Sequence, residues 1–327
     1  MGLAMLGIML HHFDKLEGMH YTFFPFDFAG PAVLWWGVEV FFFLSGLGCY
    51  HSCCKSGTWV FYKRRILRVL PAALIAGICK LCIMQAPLQW YDIRYLLGIN
   101  LWFIEAYFVY ILLLPLLIRV LHAPNRVRLP LLCLLLAVLM FAADLAGHVF
   151  PAGWVSRFHE LITRSPAFIL GAVWAYLYSR QRDVLAMVAW PWQVVIIAAG
   201  SGAYFWLLDG PPQFHQGPVN IIVILAGIIP FVTYLLARLF SALSKYRLFS
   251  SVRSFLAWMG MLSLELYLVH EFIFAQLESS VLSHLPPLCF LLVLFLISCL
   301  SAWLLHVCAR KSVQIVAKFA SHETKQA

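Results

Sequence analysis

Seven ionisable side chains stand within stretches that are otherwise apolar: His12, Glu39, Lys80, Glu105, Asp144, Glu265 and His270. Hydrocarbon makes such groups costly, so each is a candidate for function as well as for pairing with another. His12 carries the sharpest chemistry. It lies near the end of the opening run MGLAMLGIMLHHF. Eleven helical steps of 1.5 Å put it about 16 Å from residue 1, near the middle of a hydrocarbon core ~30 Å thick. A neutral imidazole there can take a proton from a hydroxyl, which is the task of a general base. The competing reading is a histidine lining a polar cavity. The second cluster is FYKRRILRVLP, residues 61–71, where Arg65 and Arg68 are three apart and share a helix face. Arginine forks match phosphate oxygens; on composition the same residues also read as a membrane anchor. Lys80 and Asp144, near span ends, read as snorkelling or structural groups. Cys79-x-x-Cys82 has zinc or redox spacing, but no second pair accompanies it. Buried helix cysteines are the expectation, and no metal site is expected.

The elements that must position these groups follow from composition. The 327 residues are 63% hydrophobic and 11% charged, with a mean hydropathy of +0.88. A soluble domain carries about 25% charged residues, so too little polar surface remains to face water and the chain reads as polytopic in a membrane. The opening segment lacks the positive n-region and cleavage site of a signal peptide. Apolar length predicts helices near 1–13, 29–50, 66–86, 96–118, 129–148, 165–179, 186–208, 218–237, 254–275 and 288–308. The loops between them alternate in charge. One set, with the C-terminal tail, holds 18 Lys and Arg residues; the other holds Lys15, Arg94, Arg157 and Arg164. The positive-inside rule then places both termini in the cytoplasm. The expected fold is all-α, a transmembrane bundle of about ten helices over residues 1–311 with a cytoplasmic tail over 312–327. The net charge of +9 lies in short loops, so it speaks to orientation and not to a nucleic-acid partner.

Six stretches together resemble one family, the acyltransferase-3 family of integral membrane acyltransferases. MGLAMLGIMLHHF matches its R-G-[LI]-A…H-[FS] run, with His12 in the histidine position. GVEVFFFLSG at 37–46 resembles G-V-[DE]-x-F-F-x-x-S-G, and RRILRVLP at 64–71 resembles R-x-x-R-x-x-P. LWFIEAYFVYILLLP at 101–115, TRSPAFILGA at 163–172 and SLELYLVHEFI at 263–273 are similar to later segments, in the family's order. One departure stands at the first position. The family's arginine would precede His12 by eleven residues, where this chain has Met1. Either the true start lies upstream, with the first helix truncated at its N-terminus, or the arginine is absent. Truncation is the expectation, since it also explains the short first helix.

The resemblance implies a ten-helix domain with both ends cytoplasmic and an enzymatic activity. Such proteins move an acyl group, often acetyl from acetyl-CoA, to a hydroxyl of a carbohydrate or lipid-linked glycan of the cell envelope. By position it implies His12 as the catalytic histidine and Arg65 and Arg68 as the arginines for CoA phosphates. Glu39, Ser45, Trp102, Tyr110, Tyr267 and His270 also match family positions, and Glu39 is a candidate to orient the imidazole. Acyl-CoA enters as donor substrate, with no permanently bound cofactor, and the expected location is a bacterial inner membrane. Three rivals stand beside this reading. The first is another membrane acyltransferase fold with an intramembrane histidine, such as the membrane-bound O-acyltransferases; separately, His12-x4-Glu17 is similar to the H-x4-D box of glycerolipid acyltransferases, but with Glu for Asp and in an expected external loop. The second is a proton-coupled transporter, although no inverted repeat supports it. The third is a non-catalytic relative that exports a surface glycan.

Overall fold

In lipid, an apolar run has no water to satisfy its backbone N–H and C=O groups, so it takes the form that bonds them internally. The structure, a computed structural model, describes residues 1–14, 36–84, 102–128, several positions between 130 and 139, 152–180, 184–209, 218–278, 280 and 285–326. All regular structure among the described residues is helical. In chain order the helices are α1 (Gly2–Asp14), α2 (Trp36–Ser56), α3 (Thr58–Met84), α4 (Trp102–His122), α5 (Ala152–Ser179), α6 (Val184–Met187), α7 (Trp190–Asp209), α8 (Pro218–Leu243), α9 (Arg247–Met261), α10 (Ser263–Glu278) and α11 (Pro287–Gln326). Most of the expected span 129–148, with Asp144 and Cys133, lies outside the described residues. So do Lys15, Glu17, Arg94 and Arg182, the openings of spans 29–50 and 96–118, and the side chain of Arg157.

Among the described residues, three stretches are long and apolar enough to cross a membrane: Thr58–Ile83 in α3, Trp102–His122, and Leu288–Ile315 in α11. Phe249–Met261 and Ser263–Glu278 pass the same test as a pair but meet at 78°. Length and hydropathy thus support three or four spans among the described residues, against the expected ten or so. Two expectations about individual helices change. The helix read as 165–179 starts at Ala152, which moves Arg164 out of a loop and into a helix. The helix read as 254–275 is two, broken at Leu262.

The chain forms two compact units. The first comprises Met1–Gly37, Lys63–Leu101 and Ser254–Ala327. It contains α1, most of α3, the end of α9, α10 and α11, with α10 packed against both α1 and α11. Met5, Ile8, Phe13, Leu262, Leu266, Phe290 and Leu294 fill its interior, and the Phe13 and Phe290 rings lie 6.3 Å apart. The second unit comprises Val38–Tyr62 and Trp102–Arg253. There α4 packs on α5, α5 on α8, and α8 on α7. Helices in lipid associate through close backbone approach at small residues, and α2 meets α5 in this way. A Cβ on Gly46 would sit 2.0 Å from the Phe168 carbonyl oxygen, and one on Gly171 would sit 1.9 Å from that of Phe43. No side chain fits at either point, so both positions must be glycine for the two helices to cross where they do.

Candidate active site

In the first unit, α1 carries His12 to its C-terminal end and α10 brings His270 and Glu271 to meet it. His12 Nε2 lies 3.2 Å from Glu271 Oε1. The rings of His12 and His270 are 5.0 Å apart, edge to face, and those of His11 and His12 are 5.5 Å apart. Accessibility grades across the cluster: the His12 side chain is 28% exposed and that of Glu271 50%, while His270 is fully buried. The His270 orientation is set by its own helix. Its Nδ1 lies 2.8 Å from the Leu266 carbonyl oxygen and 3.1 Å from that of Tyr267. A carbonyl only accepts, so Nδ1 carries the proton and Nε2 holds the lone pair. Tyr267 is half-buried beside it, ring to ring at 6.1 Å.

The helix break places a second constellation in the same unit. A helix C-terminus presents unsatisfied carbonyls and partial negative charge. Arg68, from α3, donates from Nη2 to the Met261 carbonyl at the end of α9 (3.0 Å) and to Glu265 Oε2 (3.1 Å). Its Nη1 pairs with Glu265 Oε1. Glu265 is fully buried in the first turn of α10, where the positive end of the helix favours a carboxylate. His306 of α11 completes the set, with Nδ1 2.9 Å from Glu265 Oε1. Arg68 therefore ties three helices together at the break, and its fork is occupied by a carboxylate. Arg65, one turn earlier, is half-buried, and Lys63 and Arg64 are exposed. An apolar cavity of about 310 Å³ lies between α3, α10 and α11. Lys80 lines it and stands 5.3 Å from the centre of the Phe272 ring. Cys79 and Cys82 are exposed free thiols, where buried helix cysteines were expected.

The remaining motif residues gather in the second unit. Glu39 of α2 and Arg164 of α5 form an ion pair with side chains 0% and 1% exposed. The guanidinium lies 5.9 Å from the Trp102 ring, a cation–π distance. Trp102 packs near Phe42 (6.3 Å), and Phe42 lies 5.2 Å from Tyr110. The Tyr110 hydroxyl donates to the Leu161 carbonyl, and its ring meets Phe168 at 5.2 Å. Ser45 is half-buried on α2 and Glu105 on α4. The motif stretches at 37–46, 101–115 and 163–172 are thus brought together by an ion pair, an aromatic stack and a glycine crossing.

Sequence reasoning missed Arg164, Glu271 and His306. The last two were open to the criterion that selected Glu265 and His270, since both lie inside spans read as apolar. Arg164 falls in the motif stretch at 163–172, but the late start assigned to its helix counted it with the loop cations.

Apolar helices of membrane length, with charged side chains paired in their interior, define a multi-pass integral membrane protein. A family model described as an acyltransferase domain matches residues 2–307, and the chain belongs to the acyltransferase-3 family. No curated protein and no solved structure matches it.

Proposed function

We propose that this membrane acyltransferase moves an acyl group, acetyl in the first instance, from acyl-CoA to a hydroxyl of a carbohydrate or lipid-linked glycan in the bacterial cell envelope. The observation that carries the reading is the contact of His12 Nε2 with Glu271 at an accessible edge of α1, inside the matched domain. His12 is the general base. With Nε2–H donating to Glu271, Nδ1 takes the acceptor's proton as the hydroxyl oxygen attacks the thioester carbonyl. The tetrahedral intermediate then expels the CoA thiolate, which takes the proton back from the His12 imidazolium and so regenerates the base. The carboxylate holds the ring and stabilises the imidazolium, as the third member of a triad does. Glu271 takes the orienting part for which Glu39 was the candidate. Arg65 and its exposed neighbours Lys63 and Arg64 supply charge for the CoA phosphates. Arg68 acts mainly through Glu265. The loop charges support cytoplasmic termini and entry of the donor from that side, within a bundle of about ten helices.

The test is transfer of labelled acetyl from acetyl-CoA in membranes containing the protein. His12→Ala should abolish transfer while the protein stays monodisperse in detergent. Full activity in that variant overturns the mechanism, and substrate uptake without CoA dependence would point to transport instead.

A further inference from the structure

We propose that His12, His270 and Glu271 form a binding site for a divalent transition-metal ion of the zinc class. One nitrogen from each ring and one Glu271 oxygen lie within 4.8 Å of one another. In a tetrahedral site with bonds of about 2.1 Å, ligand atoms stand roughly 3.4 Å apart. His12 Nε2 and Glu271 Oε1, at 3.2 Å, already have that spacing. The remaining ligand–ligand distances exceed that spacing by about 1.4 Å at most.

A second observation points independently to a ligand. His270 Nε2 is buried and has no hydrogen-bond partner among the described residues. Its Nδ1 is committed to the Leu266 and Tyr267 carbonyls, so the ring presents a lone pair where a buried polar atom would otherwise need a donor. Anchoring one nitrogen on a carbonyl while the other binds is the arrangement of metal-bound histidines. Two imidazoles and a carboxylate suit zinc, cobalt and nickel better than calcium or magnesium. Three protein ligands leave a fourth position for water, and half-exposed Glu271 gives the ion a way in.

The consequence rests on the reading of His12 as the base. A neutral imidazole bound to metal through Nε2 carries its proton on Nδ1. It has no lone pair left for a hydroxyl proton, so zinc inhibits transfer. The metal is a regulator in competition with the chemistry and takes no part in it.

The experiment uses the full chain in detergent, with zinc and cobalt(II) as probes. Calorimetry should find one tight zinc per chain, and bound cobalt should show tetrahedral bands without thiolate charge transfer. Loss of second-shell partners alone weakens metal sites about 10–100-fold, so His270→Ala and Glu271→Gln should each weaken zinc by at least about tenfold. Cys79→Ser/Cys82→Ser should leave binding unchanged, which separates this site from the free thiols. Glu271→Gln keeps size and shape at a half-exposed position, so it remains informative if His270→Ala fails to fold. Absence of tight zinc, a thiolate band, or undiminished binding in Glu271→Gln overturns the site. Zinc bound at the site with transfer unaffected leaves the site standing and refutes His12 as the base.

Discussion

The Glu39–Arg164 pair gives the most quantitative test of this structure. Both side chains are essentially inaccessible, and the pair links α2 to α5 close to the Trp102 ring. Breaking a buried ion pair by removing one of its charges costs about 3–5 kcal/mol. At ~1.4 kcal/mol per factor of ten, that is roughly two to four powers of ten in the folding equilibrium. Removing both charges is different in kind, since a buried pair replaced by uncharged groups of similar volume is often neutral or stabilising. Glu39→Gln keeps shape, and Arg164→Met keeps a long side chain whose sulfur suits the face of Trp102. Each single variant should therefore unfold at much lower temperature or denaturant than the wild type. The double variant should recover most of the loss, so the coupling energy in a double-mutant cycle should be at least the cost of one single variant, about 3–5 kcal/mol. The assay is unfolding in detergent, followed by tryptophan fluorescence and by the monodisperse fraction. Simple additivity, with the double variant the worst of the three, would show that the two charges do not depend on each other. A double variant that regains stability but not acyl transfer would return Glu39 to the catalytic machinery.

Other expectations separate structural from chemical roles. Arg68→Ala should destabilise the protein by about 1–3 kcal/mol, because it strips the break of its cap and a buried carboxylate of its main partner. Arg65→Ala should instead raise KM for the acyl donor and lower the melting temperature less than Arg68→Ala does; equal effects of the two variants on stability would refute the division. Gly46→Ala and Gly171→Ala should each cost at least about 1–3 kcal/mol by overpacking a backbone contact. Gly48→Ala, which faces open space two residues away, should be neutral or stabilise by ~0.5–1 kcal/mol, and melting curves of the three compare them directly. Tyr110→Phe should cost about 1 kcal/mol, the worth of its hydroxyl bond, with no change in kcat.

Much of the fold class was legible in the sequence because hydropathy is a local property. An apolar run of about twenty residues must be helical in lipid whatever surrounds it, so α3, α4 and α11 could be placed from their own residues. Breaks and ion pairs are not local. Nothing in MGMLSLELY marks a 78° bend. The bend is held by Arg68, nearly two hundred residues earlier, and by His306, about forty later. The same holds for Arg164, which reads as a loop cation until Glu39 stands against it.

The candidate site divides along that line. The sequence determined that histidines and carboxylates would lie inside apolar helices, and its ordered motifs pointed to the family, because residue type and spacing are written in the chain. Only the tertiary structure decided which carboxylate meets which base. It joined Glu39 to Arg164, Glu265 to Arg68 and His306, and Glu271 to His12 beside His270. The reason is physical: a charge in a low-dielectric interior is tolerable only beside a partner within a few ångströms, and helix packing, not sequence order, selects that partner.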